Sequence, residues 1–329
     1  MLVHRGDEVE VHQAGVAEVG EAAPIEMDDT LRIASTSKAF SGAAALALVT
    51  TGELSLDATV AEYLPQYADP WGEVTLVQLL QHTSGIPDYT RSEAAQQAIG
   101  DSLDVAPPPD ALLDFVAGEP LAFPPGSDYE YSNSDNIAVG LMIEAATGLG
   151  YDEVLVERVY EPFGLGATSL PVGVELPTPF AHGYDVAGDE PEDESETLAA
   201  GWAWASGGLA STPADFDRFA RGYVGGELFD ETTRQAQFDF EDDADSAPPG
   251  PGENSAGLGI FRYATSCGTV FGHTGNTFGY TQFFAASEDG SRSVTFSVTA
   301  QLRPDMGEVF DMLRDAEELA VCAALEGDD

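Results

Sequence analysis

Ser35 and Lys38 stand three residues apart in the run Arg32-Ile33-Ala34-Ser35-Thr36-Ser37-Lys38. Residues at this spacing share a helix face, so the Lys38 amine reaches the Ser35 hydroxyl and activates it as a nucleophile toward a carbonyl. A helix N-terminus also directs a free backbone N–H at an oxyanion forming beside Ser35. Ser-x-x-Lys occurs by chance in many helices and alone carries little weight. Its weight here is raised by scarcity: Lys38 is the only lysine in 329 residues.

Two further groups of residues complement this chemistry. Tyr131-Ser132-Asn133 follows a Pro-Pro-Gly turn and precedes an apolar helical stretch at 137–146. A tyrosine beside a cationic lysine ionises more easily, which suits Tyr131 as base toward Ser35 and then as acid toward a leaving group. Asn133 offers an amide to orient a substrate carbonyl or Lys38. In Gly272-His273-Thr274-Gly275 the glycines let backbone approach a ligand. The N–H of Asn276 is the expected second oxyanion donor, and His273 and Thr274 are placed to contact the leaving group or a substrate carboxylate.

These residues need elements to hold them. Residues 37–49 are apolar nearly all round and read as a buried helix with Ser35 and Lys38 at its N-terminal turn. Strand-like stretches lie within 8–19, and 53–64 reads as a turn followed by a short helix or extended piece. Residues 74–168 read as mostly helical, broken by Pro107-Pro108-Pro109 and Pro124-Pro125-Gly126. The acidic stretches 185–197 and 241–254 read as solvated loops. The last quarter reads as strands at 268–271, 280–287 and 292–300, with Asp289-Gly290 as a hairpin turn, and closes on a helix over 305–325. Such blocks predict an α+β fold in one catalytic domain: an antiparallel sheet flanked by helices, formed from about 1–60 and 200–329, beside a mainly helical lobe of about 61–199.

Charge narrows the partners. With 58 acidic against 12 basic residues the formal net charge is −46, a surface unsuited to nucleic acid or anionic membranes. The acidic residues recur along the whole chain, and their mutual repulsion is screened at molar salt, so a halophilic source and a need for high salt are expected. No apolar run approaches the length of a bilayer span, and the first ten residues lack the pattern of an export signal. His4, His12, His82, His182 and His273 show no paired ligand spacing, so neither a metal nor a cofactor is expected. Spacing alone leaves Cys267 and Cys322 open between a disulfide and two buried thiols.

Taken in order, Ser35-x-x-Lys38, Tyr131-x-Asn133 and His273-Thr274-Gly275 resemble the motifs of the serine β-lactamase and penicillin-binding superfamily. Within it the chain resembles the branch of class C β-lactamases, family VIII esterases and Streptomyces-type D-Ala-D-Ala carboxypeptidases, and the last most of all. The resemblance covers nearly the whole chain and includes His82-Thr83-Ser84-Gly85-Ile86-Pro87-Asp88-Tyr89-Thr90 and Ser206-Gly207-Gly208. It implies a serine hydrolase forming an acyl-enzyme on an amide or ester of a small-molecule or peptide substrate, carboxypeptidase-like or β-lactamase-like. A family VIII-type carboxylesterase is the alternative, and a catalytically silent peptide-binding protein the second alternative. It further implies a Cys267–Cys322 disulfide, an exported protein of extracellular or cell-surface location with a cytoplasmic one still open, and a cleft lined by Trp202, a residue whose size suits a core role equally well. The family's helix before the first strand has no counterpart, and Phe261, not an arginine, falls where the carboxypeptidases hold the peptide carboxylate, with Arg262 adjacent.

Overall fold

The computed structural model describes residues 1–188 and 190–326. Its centre is an eight-stranded antiparallel sheet of β1 (Leu2–Arg5), β2 (Glu8–Val11), β3 (Glu241–Asp242), β4 (Glu253–Ala256), β5 (Phe261–Thr265), β6 (Gly268–Thr277), β7 (Tyr280–Ala286) and β8 (Arg292–Val298). The order across the sheet is β2-β1-β8-β7-β6-β5-β4-β3, so the first strand of the chain docks against the last, Leu2 opposite Thr295 and Arg5 opposite Arg292.

Four helices frame the site: α1 (Ser37–Thr51), α2 (Asn133–Thr147), α3 (Pro213–Gly225) and α4 (Glu308–Leu325). Every residue of β7 is buried because helices cover both faces of the sheet. Phe284 meets Phe216 and Phe219 of α3 at ring separations of 5.4 and 5.8 Å. On the opposite face Phe283 packs at 5.5 Å from Tyr263, in one cluster with Ala320 and Val321 of α4. The other large cluster joins α1 and α2 to the helical segments between residues 58 and 165.

α1 is buried from Ser37 through Leu48, as its all-round apolar sequence predicts. It ends where Gly52 adopts φ 76°, a left-handed conformation that glycine takes without a Cβ clash, and the Gly52 N–H caps Leu48 O and Val49 O. The expected hairpin at Asp289-Gly290 forms, with Gly290 at φ 69°.

Three local expectations change. β1 falls before the first expected strand, since two apolar residues at the chain start are too short a pattern to read. The strand expected at 268–271 continues to Thr277, carrying the His273-Thr274-Gly275 motif inside the sheet. The acidic stretches are not wholly loop: 241–254 supplies β3 and the start of β4 at a sheet edge, where charged residues are tolerated. Within 185–197, of which Asp189 lies outside the described residues, Tyr184–Asp185 pairs with Glu192–Asp193.

Cys267 and Cys322 are joined, with Cα atoms 5.2 Å apart, fastening the β5–β6 turn to α4. No helix among the described residues is long and apolar enough to cross a membrane.

Candidate active site

A strained turn presents Ser35. Residues 34–36 form a single 3₁₀ turn ahead of α1, and Ala34 sits at φ 51°, a region that non-glycine residues rarely occupy. Hydrogen bonds from distant segments hold this conformation: Gln282 Nε2 donates to Arg32 O at 2.9 Å, and Ile33 N donates to Leu209 O at 3.0 Å. Lys38 follows one turn into the helix and is 1 % exposed.

The Lys38 amine has three neighbours. Asn133 Oδ1 lies at 2.7 Å, Ser206 O at 2.6 Å and Ser35 Oγ at 3.3 Å. Burial lowers the amine from its ordinary 10.5 to about 7, against the opposing pull of Asp88 and Asp135. A neutral amine keeps two N–H groups and one lone pair. The two hydrogens suit Asn133 Oδ1 and Ser206 O, which leaves the lone pair for the hydroxyl of Ser35. Asn133 is itself fixed, because its Nδ2 donates to Asp88 Oδ2 at 3.0 Å and so turns its oxygen toward Lys38.

Tyr131 is brought to the same place, with its ring centroid 4.9 Å from Lys38 Nζ. The expected direction of its ionisation is reversed. Burial pushes the phenol well above its ordinary range, and only the nearby Ser35 hydroxyl works the other way. Proximity to a cationic lysine does not prevail because burial discharges the lysine as well. Beyond the nearby Ser35 hydroxyl, Tyr131 Oη has no hydrogen-bond partner among the described residues, so its proton is free to be given.

β6 closes the site from the other side. A Cβ built at Gly275 would lie 2.7 Å from Ile33 O and 3.1 Å from Thr36 N, so the strand and the Ser35 turn meet closely only because position 275 is glycine. This contact brings Asn276, the next residue, beside the Ser35 turn. Gly275→Ala is expected to lower kcat/KM about 100-fold by displacing the strand. Burst kinetics with a chromogenic ester and far-UV circular dichroism would check it, and a folded variant acylating at the normal rate would contradict it.

The remaining expected site residues divide. His273 is buried, its Nδ1 2.6 Å from Thr274 O, and burial lowers its ring to about 3, so it stands here as a neutral group. Thr274 Oγ1 donates to Pro248 O at 2.6 Å. The Asn276 side chain is spent on Thr281 Oγ1 and Leu302 O, leaving its backbone N–H as the group of interest. Trp202 is corrected from cleft to core: it is 4 % exposed, its Nε1 donates to Ser102 O at 2.9 Å, and its ring faces Phe115. The indole is part of the helical core cluster.

Three groups around Lys38 went unassigned in the sequence: Asp88, Asp135 and the Ser206 carbonyl. His82-Thr83-Ser84-Gly85-Ile86-Pro87-Asp88 held the available signal, a histidine and an aspartate in one glycine- and proline-bearing run. No group of three or more His, Cys, Asp or Glu side chains suited to a metal occurs among the described residues.

Among solved structures the chain is similar to a D-stereospecific amidohydrolase from Streptomyces sp., with a TM-score of 0.78 and 26 % identity, covering 94 % of this chain and 91 % of that one. A D-amino acid amidase from Ochrobactrum anthropi shares the fold at a TM-score of 0.83 and 23 % identity, over 98 % of this chain and 91 % of the other. Penicillin-binding protein 4* of Bacillus subtilis is 27 % identical over 246 residues, 71 % of this chain and 53 % of that protein. Esterase EstB of Burkholderia gladioli is 31 % identical over 218 residues, 56 % of this chain and 55 % of that protein. The chain thus spans about half the length of these two relatives. The family model described as Beta-lactamase matches residues 1–318, nearly the whole chain, and by that match the protein belongs to the Beta-lactamase family.

Proposed function

We propose that the protein is a serine hydrolase that cleaves an amide or ester through an acyl-enzyme on Ser35. The observation that carries this reading is the buried Lys38 amine, discharged near pH 7 and 3.3 Å from Ser35 Oγ. Ser35 Oγ attacks the carbonyl carbon and its proton passes to the Lys38 lone pair. The backbone N–H groups of Ser35 and Asn276 receive the oxyanion. As the intermediate collapses, Tyr131 gives its proton to the departing nitrogen or oxygen and is reprotonated by Lys38. Water then attacks the ester carbon, loses its proton to Lys38, and Ser35 leaves with a proton. The names of the similar proteins, an amidohydrolase, an amidase and an esterase, lie within this chemistry.

The test is covalent. A fluorophosphonate should add once per chain in molar salt, the condition that a charge of −46 calls for, and peptide mapping should place the adduct on Ser35. An enzyme that turns over substrate with no adduct on Ser35 refutes the reading. A chain that binds D-peptides with neither adduct nor turnover would be a silent binder.

We further propose a leaving group without a free carboxylate. Phe261 is 2 % exposed, its ring 5.0 Å from His273 and 6.5 Å from Tyr131, so an apolar group faces the place where a carboxylate clamp would stand. Strand alternation turns Arg262 to the other face, where it donates to Asp242 Oδ1 at 2.6 Å and Ser255 Oγ at 2.8 Å and lies over Phe240. A charged hydrogen bond contributes about 1.5–3 kcal/mol. Between D-Ala-D-Ala and its C-terminal amide, kcat/KM should therefore favour the amide by roughly 10-fold. Preference for the free acid would overturn this assignment of the leaving group and leave the acyl-enzyme untouched.

A further inference from the structure

Tyr131 poses a positional problem. Its hydroxyl has no partner among the described residues beyond the nearby Ser35 hydroxyl, so hydrogen bonding does little to fix where the phenol lies. Its position must come from what touches the ring. Phe261 and His273 stand off at 6.5 and 6.4 Å between ring centres, whereas the His82 ring lies at 4.5 Å.

His82 is placed with unusual care. Its backbone takes φ 60°, a costly conformation for a residue with a side chain, and its carbonyl accepts the Glu130 N–H at 3.0 Å. It is 3 % exposed, and its Nδ1 is 2.8 Å from Oδ2 of Asp135, a carboxyl with no exposure at all. The other oxygen of Asp135 accepts from Ser84 Oγ at 2.5 Å. Asp135 lies in the first turn of α2, two residues beyond Asn133, so the same turn serves both Tyr131 and Lys38.

We propose that His82 and Asp135 are positioning residues, which hold the His82 ring against Tyr131 and so keep the phenol beside Ser35 and Lys38. Neither touches the reacting atoms, and the inference rests on the acyl-enzyme reading above. Burial lowers His82 and raises Asp135, so each is pushed toward its uncharged form, and a hydrogen bond joins them. The charged and titratable groups facing the pair are Lys38, His273, Tyr129 and Tyr131 on the His82 side, and Asp88, Lys38, Glu130 and Tyr129 on the Asp135 side. The pair acts on Tyr131 through shape and hydrogen bonding.

Asp135→Asn keeps this shape, since its amide N–H can donate to His82 Nδ1 while its oxygen accepts from Ser84. It should retain kcat within about 3-fold, with KM unchanged. Asp135→Ala should lose about 30-fold in kcat with little change in KM, because the phenol is misplaced after substrate has bound. His82→Asn should lose a similar amount while keeping the backbone, asparagine being suited to positive φ. This variant answers the question if Asp135→Ala does not fold. Folded Asp135→Ala or His82→Asn enzyme with normal kcat overturns the proposal. So does an Asp135→Asn variant as damaged as the alanine one, since charge and not shape would then be what Asp135 supplies. If wild-type protein acquires no adduct on Ser35, the acyl-enzyme reading has failed. If it does and the variants acylate equally fast, only the positioning role has.

Discussion

Ser35→Ala is expected to leave a folded protein with kcat reduced by at least about 10⁴-fold. The folding side follows from how little the hydroxyl is used, its side-chain neighbours being Lys38 at a long 3.3 Å and the nearby phenol of Tyr131. The catalytic side follows from the loss of the hydroxyl that the proposed acyl-enzyme needs. Water attacking beside the two backbone N–H groups is the residual route, and no acyl intermediate forms on it. Steady-state hydrolysis and the pre-steady-state burst measure both quantities. Retention of more than about one part in a hundred of the activity would show that the chemistry lies elsewhere.

Lys38→Met should cost about 10³-fold in kcat/KM by removing the base while preserving the length of the side chain. It should also erase a pH dependence. In the wild type the amine must be neutral to accept the Ser35 proton, so activity rises with pH through about 7, where burial has placed the amine. The variant has no group to titrate there and should be flat across that range. Stability gives a second reading with a definite sign. The unfolded chain holds this proton up to 10.5 and the folded chain only up to about 7. The cost to the fold is full below 7, shrinks as pH rises through that window, and is gone above it. Relative to Lys38→Met the wild type should therefore gain roughly 1.4 kcal/mol per pH unit between these limits. Parallel urea denaturation curves at several pH values would test it, and an equal pH response of the two proteins would mean that the amine is not buried in the native state.

Ser35 and Lys38 were legible because their relation is local: three residues on one helical turn need no tertiary information. Tyr131, Asn133 and Gly275 were legible only as a family order, since nothing in their spacing says that strand β6 and the turn before α2 converge on α1. Asp88 and Asp135 escaped for the same reason. Their contacts span 45 residues to Asn133 and 53 residues to His82, and an aspartate in a loop carries no mark of its partner. The misjudged ionisation of Tyr131 has a different origin. Charge can be read from composition, but the burial that discharges Lys38 and protects the phenol is a property of the fold. Trp202 was ambiguous for an allied reason, because a large aromatic surface serves a core and a cleft equally well until its indole N–H is seen to have a partner.

The meeting of Gly275 with the Ser35 turn has a practical consequence. That contact joins positions 240 residues apart in numbering, and the Gln282–Arg32 bond beside it spans 250. Lys38 is held from a further 168 residues away by the carbonyl of Ser206. No fragment and no half-assembled chain contains Ser35 and Lys38 in this arrangement. A covalent active-site reagent therefore acts as a titrant of complete molecules, counting those whose beginning and end have come together. Spectroscopic helix content, which α1 and α2 can supply before the sheet closes, counts something larger, and the gap between the two measures the unfinished population in any preparation.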